Sequence, residues 1–206
     1  MSSHQKQTSI SNWVRLRLIP NEELLDSAKN TTIWDVLYPW PGIYNDEPLE
    51  YNTEAYLEER YNIIKDRVES GEWSLSQTTD KAPPQSKDGL YWMISGHTPL
   101  MIAVHMANDK YSLQLVELFL QHGAGGENLK IRADNSSGDT VLHKIVNSGR
   151  VNEILELIMN SGEIHGLDND LFKLQNHIPE TAYDSAKYFQ RIYGISEANL
   201  EAIRPS

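Results

Sequence analysis

The chain has 206 residues, 39% of them hydrophobic and 23% charged, and its 29 acidic against 18 basic side chains leave a net charge of -11. That length and balance allow one or two domains with a buried core, while the acidic excess, with no run of Lys and Arg to offset it, speaks against nucleic acid as a partner. The absence of cysteine removes disulfides, thiolate metal sites and cysteine nucleophiles together.

The first residues, MSSHQKQTSISNW, contain neither a charged n-region nor an apolar h-region, and no window approaches the roughly 18 apolar residues of a membrane span. The expectation is a soluble protein with no classical secretory signal and no membrane insertion. Asn30-Thr31-Thr32 and Asn135-Ser136-Ser137 are then chance matches to the glycosylation pattern. Residues 13–19 alternate apolar and basic side chains as a strand does. Asn21 to Lys29 and Thr31 to Leu37 read as two short helices, each opening on a side chain able to cap free amides and carrying acids in its early turns. Tyr38-Pro39-Trp40-Pro41-Gly42 ends the second. A longer helix is expected from Thr53 to Glu69, with Asn52 as its N-cap, Gly71 past its end and a stripe of Leu57, Tyr61, Ile64 and Val68 at helical spacing. The polar stretch Ser74 to Gly89, with Pro83-Pro84, reads as a linker that divides the chain near residue 88. All five tryptophans lie in the first 92 residues and are read as core and cap residues. Trp34 to Tyr44 is the segment most suited to an exposed aromatic patch, because its two prolines prevent a regular helix face.

Beyond the linker, two phrases recur: Gly96-His97-Thr98-Pro99-Leu100 and Gly138-Asp139-Thr140-Val141-Leu142, each followed by an apolar run. Thr98 and Thr140 sit where a helix begins, and Pro99 occupies the first helical position, where its missing N–H costs little. Second helices are expected at Ser112 to Gln121 and Asn152 to Asn160, closed by the left-handed residues Gly123 and Gly162. A third, worn copy keeps Thr181 and Ala186 in register with Thr98 and Ala103. The three threonines are spaced by 42 and 41 residues.

These phrases resemble the ankyrin repeat, whose unit opens Gly-x-Thr-Pro-Leu-His-x-Ala, forms two antiparallel helices and closes on Gly-Ala, as His122-Gly123-Ala124 does here. The resemblance implies an all-α fold: a short solenoid of helix pairs over residues 89–206, with repeats at 96–124, 138–162 and 179–195 and Asp184 at the histidine position of a degenerate half repeat. The period exceeds the usual ~33 residues, so the inter-repeat loops are long. Because such units bury their faces only against neighbours, residues 1–88 are expected to form a helical cap, with Leu57, Ile64 and Val68 covering the open face of the first repeat.

No catalytic constellation emerges. His97 and His143 belong to the repeat phrases, where an imidazole near a helix start bonds backbone between neighbouring units. There is no His-Glu-x-x-His helix, no phosphate loop at Gly123-Ala124-Gly125-Gly126 and no Gly-x-Ser-x-Gly elbow. The carboxylates at Asp46, Glu47, Glu50, Glu54, Glu58 and Glu59 fit a solvated helix face. Neither a metal nor a cofactor is expected, and the chain is read as a protein other than an enzyme.

The resemblance implies a protein-binding module. The inner-helix positions expected to face a protein partner are His105, Met106, Asn147, Ser148 and Lys187, the loop positions are Lys130, Arg132, Asn135 and Arg150, and Trp34, Tyr38 and Trp40 add an aromatic candidate. Small acidic ankyrin proteins of this kind are similar in style to effectors that intracellular bacteria deliver into a host cytoplasm. Two alternatives stand beside this reading. One is an enzyme with its site in residues 1–88 and the repeats recruiting substrate. The other is a ubiquitin-ligase adaptor, because Leu18 to Leu25 resembles the opening of an F-box.

Overall fold

The computed structural model describes residues 33, 37, 54–78, 96–105, 107, 110–133, 137–162 and 170–205. The expected strand at 13–19, the helix at 21–29 and most of the linker lie outside the described residues. Eight α-helices are described: α1 Glu54–Glu69, α2 Pro99–His105, α3 Lys110–Phe119, α4 Val141–Val146, α5 Val151–Asn160, α6 Asp170–Lys173, α7 Ala182–Tyr193 and α8 Glu197–Ala202. Among the described residues there is no strand, and an isolated antiparallel bridge joins Gln175 to Thr181.

The helices stand in two rows. The opening helices of the units, α2, α4 and α7, pack side by side in that order, and each packs on its own closing helix, α3, α5 or α8. The closing helices form the second row, and α1 joins it by packing on α3. One apolar core runs through both rows, and its largest members include Phe119, Leu100, Leu115, Leu142, Ile145 and Ile154, all under 2% exposed. Such burial removes about 25 cal/mol of unfavourable hydration per Å2 of apolar surface, which is what holds units that have no stability alone.

Local chemistry explains each opening helix. Met101 N–H donates to Thr98 Oγ1 at 3.2 Å. At the second unit Thr140 and His143 form a capping box, and at the third Thr181 and Asp184 do the same. Each box satisfies amides that the first helical turn leaves without partners. The closing helices stop where glycine permits a left-handed backbone: Gly123 has φ +88°, and Gly162 φ +77°. After α3 the chain widens through Leu120–Ala124 and then makes a tight helical turn, Gly126–Lys130, that buries Leu129 completely.

Four expectations are refined. The closing helix of the first unit starts at Lys110, two residues before the expected Ser112. The third copy is more than a half repeat, because Gly194 reverses the chain and Ser196 caps α8, which packs on α5. In α1, Ile64 and Val68 enter the core while Leu57 stays half-buried, and Ile63 is the further buried residue. Ile33 and Leu37 are helical, one turn apart and buried in the core, and the Arg60 guanidinium donates to the Leu37 carbonyl.

Candidate functional site

The three capping threonines set a common register for the opening row. Seven residues after each lies an exposed side chain: His105 after Thr98, Asn147 after Thr140 and Tyr188 after Thr181. The positions five residues after each threonine, Ala103, Ile145 and Ala186, are buried in the core. The same helical phase in three adjacent helices therefore puts one line of side chains on the surface and another under it.

Around this line the expected contact residues are distributed unevenly. His105 ends α2, and Asn147 follows α4 as its C-cap. Although His105 is exposed at the surface, enough protein surrounds its ring for desolvation to lower its pKa, and the nearby Lys144 cation acts in the same direction. Arg132 is exposed before the second unit. Lys187 is exposed on α7, its ammonium 5.3 Å from the centre of the Tyr183 ring, which a cation approaches favourably. Lys130 is partly covered and paired with Glu127 at 2.9 Å, and Arg150 is partly covered and paired with Glu153 at 2.9 Å, so both are engaged within the chain. Ser148 is a correction: at 4% exposure it cannot present its hydroxyl to a partner. It falls one residue past the exposed line, and its N–H donates to Ile145 O at 2.9 Å, which turns the side chain inward. Met106, Asn135, Trp34, Tyr38 and Trp40 lie outside the described residues.

Beneath the surface, the second and third units are joined by polar contacts. His143 is 1% exposed; its Nε2 lies 2.9 Å from Glu180 O, and its Nδ1 lies 3.2 Å from the Thr140 nitrogen. A carbonyl can only accept, so the proton sits on Nε2, and Nδ1 is the acceptor for the Thr140 N–H. Burial holds this imidazole below its usual pKa, outweighing the opposite pull of the Glu180 carbonyl and Asp139. Asp139 pairs with Lys144 at 3.0 Å and accepts from Asn176 at 3.2 Å. Burial pushes the Asp139 carboxyl up, but Lys144, with help from Ser137 and Asn176, holds it below the ordinary carboxylate value. The loop beside it closes with His177 N–H donating to Ser137 O at 2.8 Å. These polar groups are used up by the fold.

Sequence reasoning overlooked Tyr188, Arg191 and Ile192, which share the exposed face of α7 with Lys187. The signal was present in the register, because Tyr188 stands where His105 and Asn147 stand in their units. Among the described residues no group of three or more His, Asp or Glu is arranged to hold a metal, and no helix is long and apolar enough to cross a membrane.

The family model described as Ankyrin repeat matches residues 95–132. No curated protein and no solved structure matches the chain. The matched stretch spans the threonine-capped α2, its partner α3 and the Gly123-Ala124 close, and the same helix-pair construction returns from Gly138 and Thr181, so the chain carries an ankyrin repeat at residues 95–132 within an all-α array of helix pairs.

Proposed function

We propose that the protein is a non-catalytic adaptor that holds a protein partner along the exposed line of its opening row, with His105, Asn147 and Tyr188 at the centre and Arg132 and Lys187 beside them. The supporting observation is the repetition itself: one register position is exposed in three successive units, while the position two residues earlier is buried in all three. A binding surface assembled this way requires only surface side chains of fixed spacing, and repeat scaffolds bind through such surfaces. In this reading residues 1–88 seal the first unit, Ile64, Val68, Ile33 and Leu37 contributing apolar side chains to the core. An effector acting on a host protein would use the same surface.

The test is partner selection from a random peptide-display library on the immobilised full chain, followed by binding of the enriched peptides to His105→Ala/Asn147→Ala/Tyr188→Ala. We expect affinity to fall at least ~10-fold, since central exposed side chains dominate binding energy, with an unchanged melting temperature. Enriched peptides that bind this variant as well as the wild type would remove the opening row from the binding surface.

A further inference from the structure

Charge is segregated between the two rows. The closing-row helices carry ten carboxylates against four cations: five and three on α1, one and one on α3, two and none on α5, two and none on α8. The opening-row helices reverse the sign, with the single carboxylate Asp184 against Lys144, Lys187 and Arg191. Asp184 is turned back on its own cap, accepting from Thr181 N–H at 3.0 Å and Thr181 Oγ1 at 2.7 Å, and those bonds hold its carboxyl below the ordinary value. Lys144 is spent on Asp139. The cations left are Lys187 and Arg191, one turn apart on α7, and neither has a carboxylate within ion-pair distance among the described residues.

The same face holds two of the four large apolar side chains that are exposed among the described residues. Tyr188 is 76% exposed and Ile192 65%, again one turn apart and interleaved with the two cations. Helix α7 is also built to display them: it has 12 residues where its neighbour α4 has 6, and each starts directly after a capping threonine, so its last six residues run past the end of α4. At 1.5 Å per residue the overhang is about 9 Å. An exposed apolar pair beside two cations that have no ion-pair partner among the described residues is complementary to a ligand that carries both carboxylates and apolar side chains.

We propose that the outward face of α7 is a docking strip for an acidic polypeptide segment, with Lys187 and Arg191 pairing to its carboxylates and Tyr188 and Ile192 receiving its apolar side chains. This rests on the protein-binding reading above and adds the chemistry of the partner. Guanidinium and ammonium groups reward carboxylates in different ways, Arg191 by a planar fork and Lys187 as a point charge, so the strip favours spaced acids over a single one.

The experiment uses the same display selection on the full chain, read out by the composition of the enriched peptides and by fluorescence anisotropy of the best one and of its Lys-for-Glu twin. Peptides rich in Asp and Glu with interspersed apolar residues are expected. The best should weaken at least ~10-fold on Lys187→Glu/Arg191→Glu, weaken on Tyr188→Ala/Ile192→Ala, and lose affinity as salt rises, while its basic twin does not bind. Enriched peptides that need the opening row but are neutral or basic would overturn this inference and leave the protein-binding reading in place. Peptides indifferent to both sets of substitutions would overturn that reading as well. Sedimentation of the wild type and of Lys187→Glu/Arg191→Glu covers the remaining occupant: self-association abolished by the double substitution would assign the strip to a second copy and sink the proposal.

Discussion

Replacing His143 separates two jobs that one buried ring performs. His143→Ala removes the acceptor of the Thr140 N–H and the donor to Glu180 O, and leaves a space where the ring was 1% exposed. A lost cap costs about 1 kcal/mol and a lost buried hydrogen bond about 1–2 kcal/mol, so the variant should lose roughly 2–3 kcal/mol from these two bonds. His143→Asn offers an oxygen to Thr140 N–H, as Asp184 does for Thr181, but cannot reach Glu180; it should lose only about 1–2 kcal/mol. Urea melts followed by circular dichroism measure both, and thermal melts should show about 2–4 °C for each kcal/mol in a chain of this size. The pH dependence has a definite sign. Burial keeps the folded imidazole below its unfolded pKa, so protons favour the unfolded chain, and this contribution is present above about pH 6.5 and declines as pH falls below it. His105 is shifted in the same direction, so the diagnostic quantity is the wild type minus His143→Asn, whose difference should shrink in acid. Equal losses from Ala and Asn would show that the ring does not cap, and identical acid slopes in wild type and variant would show that its burial does not depress the imidazole pKa.

Two other substitutions probe the same seam. Gly138 has φ +61°, and a Cβ there would meet the His177 ring at 2.4 Å, so Gly138→Ala should cost about 2 kcal/mol or more; adding His177→Ala should recover the steric share and leave the backbone share, and a double variant no more stable than the single one would refute the clash. Asn152→Ala removes an amide that donates to Gly194 O at 2.9 Å and accepts from Ser196 N–H at 3.0 Å. A loss of about 1–3 kcal/mol is expected, with hydrogen exchange accelerated over residues 190–203 and unchanged over 99–119; uniform acceleration would contradict a local clamp.

The readable parts of the fold were those in which one residue type has one local job. Thr98, Thr140 and Thr181 announce helix starts because a hydroxyl must meet free amides, and Gly123 and Gly162 announce helix ends because the backbone there is left-handed. Helix α8 was missed because its six residues are too few to show a stripe, and its burial of Leu200 depends on α5, which only tertiary structure supplies. The candidate surface was half legible. His105 and Asn147 followed from the register, but the register was not carried on to Tyr188, and the unequal helix lengths that expose Arg191 and Ile192 depend on where the chain reverses at Gly194. Ser148 shows the limit of a phase argument: one residue of error on a short helix exchanges surface for interior.

The seam between the second and third units is fastened at both of its ends, by His143 to Glu180 where α4 and α7 begin and by Asn152 to Gly194 and Ser196 where α7 turns into α8. A hinge needs one free edge, and among the described residues both edges of this seam are held. Asn147 and Tyr188 therefore stand a constant distance apart, like marks on a ruler, and a ligand spanning them is sorted by its own spacing rather than accommodated by bending of the scaffold.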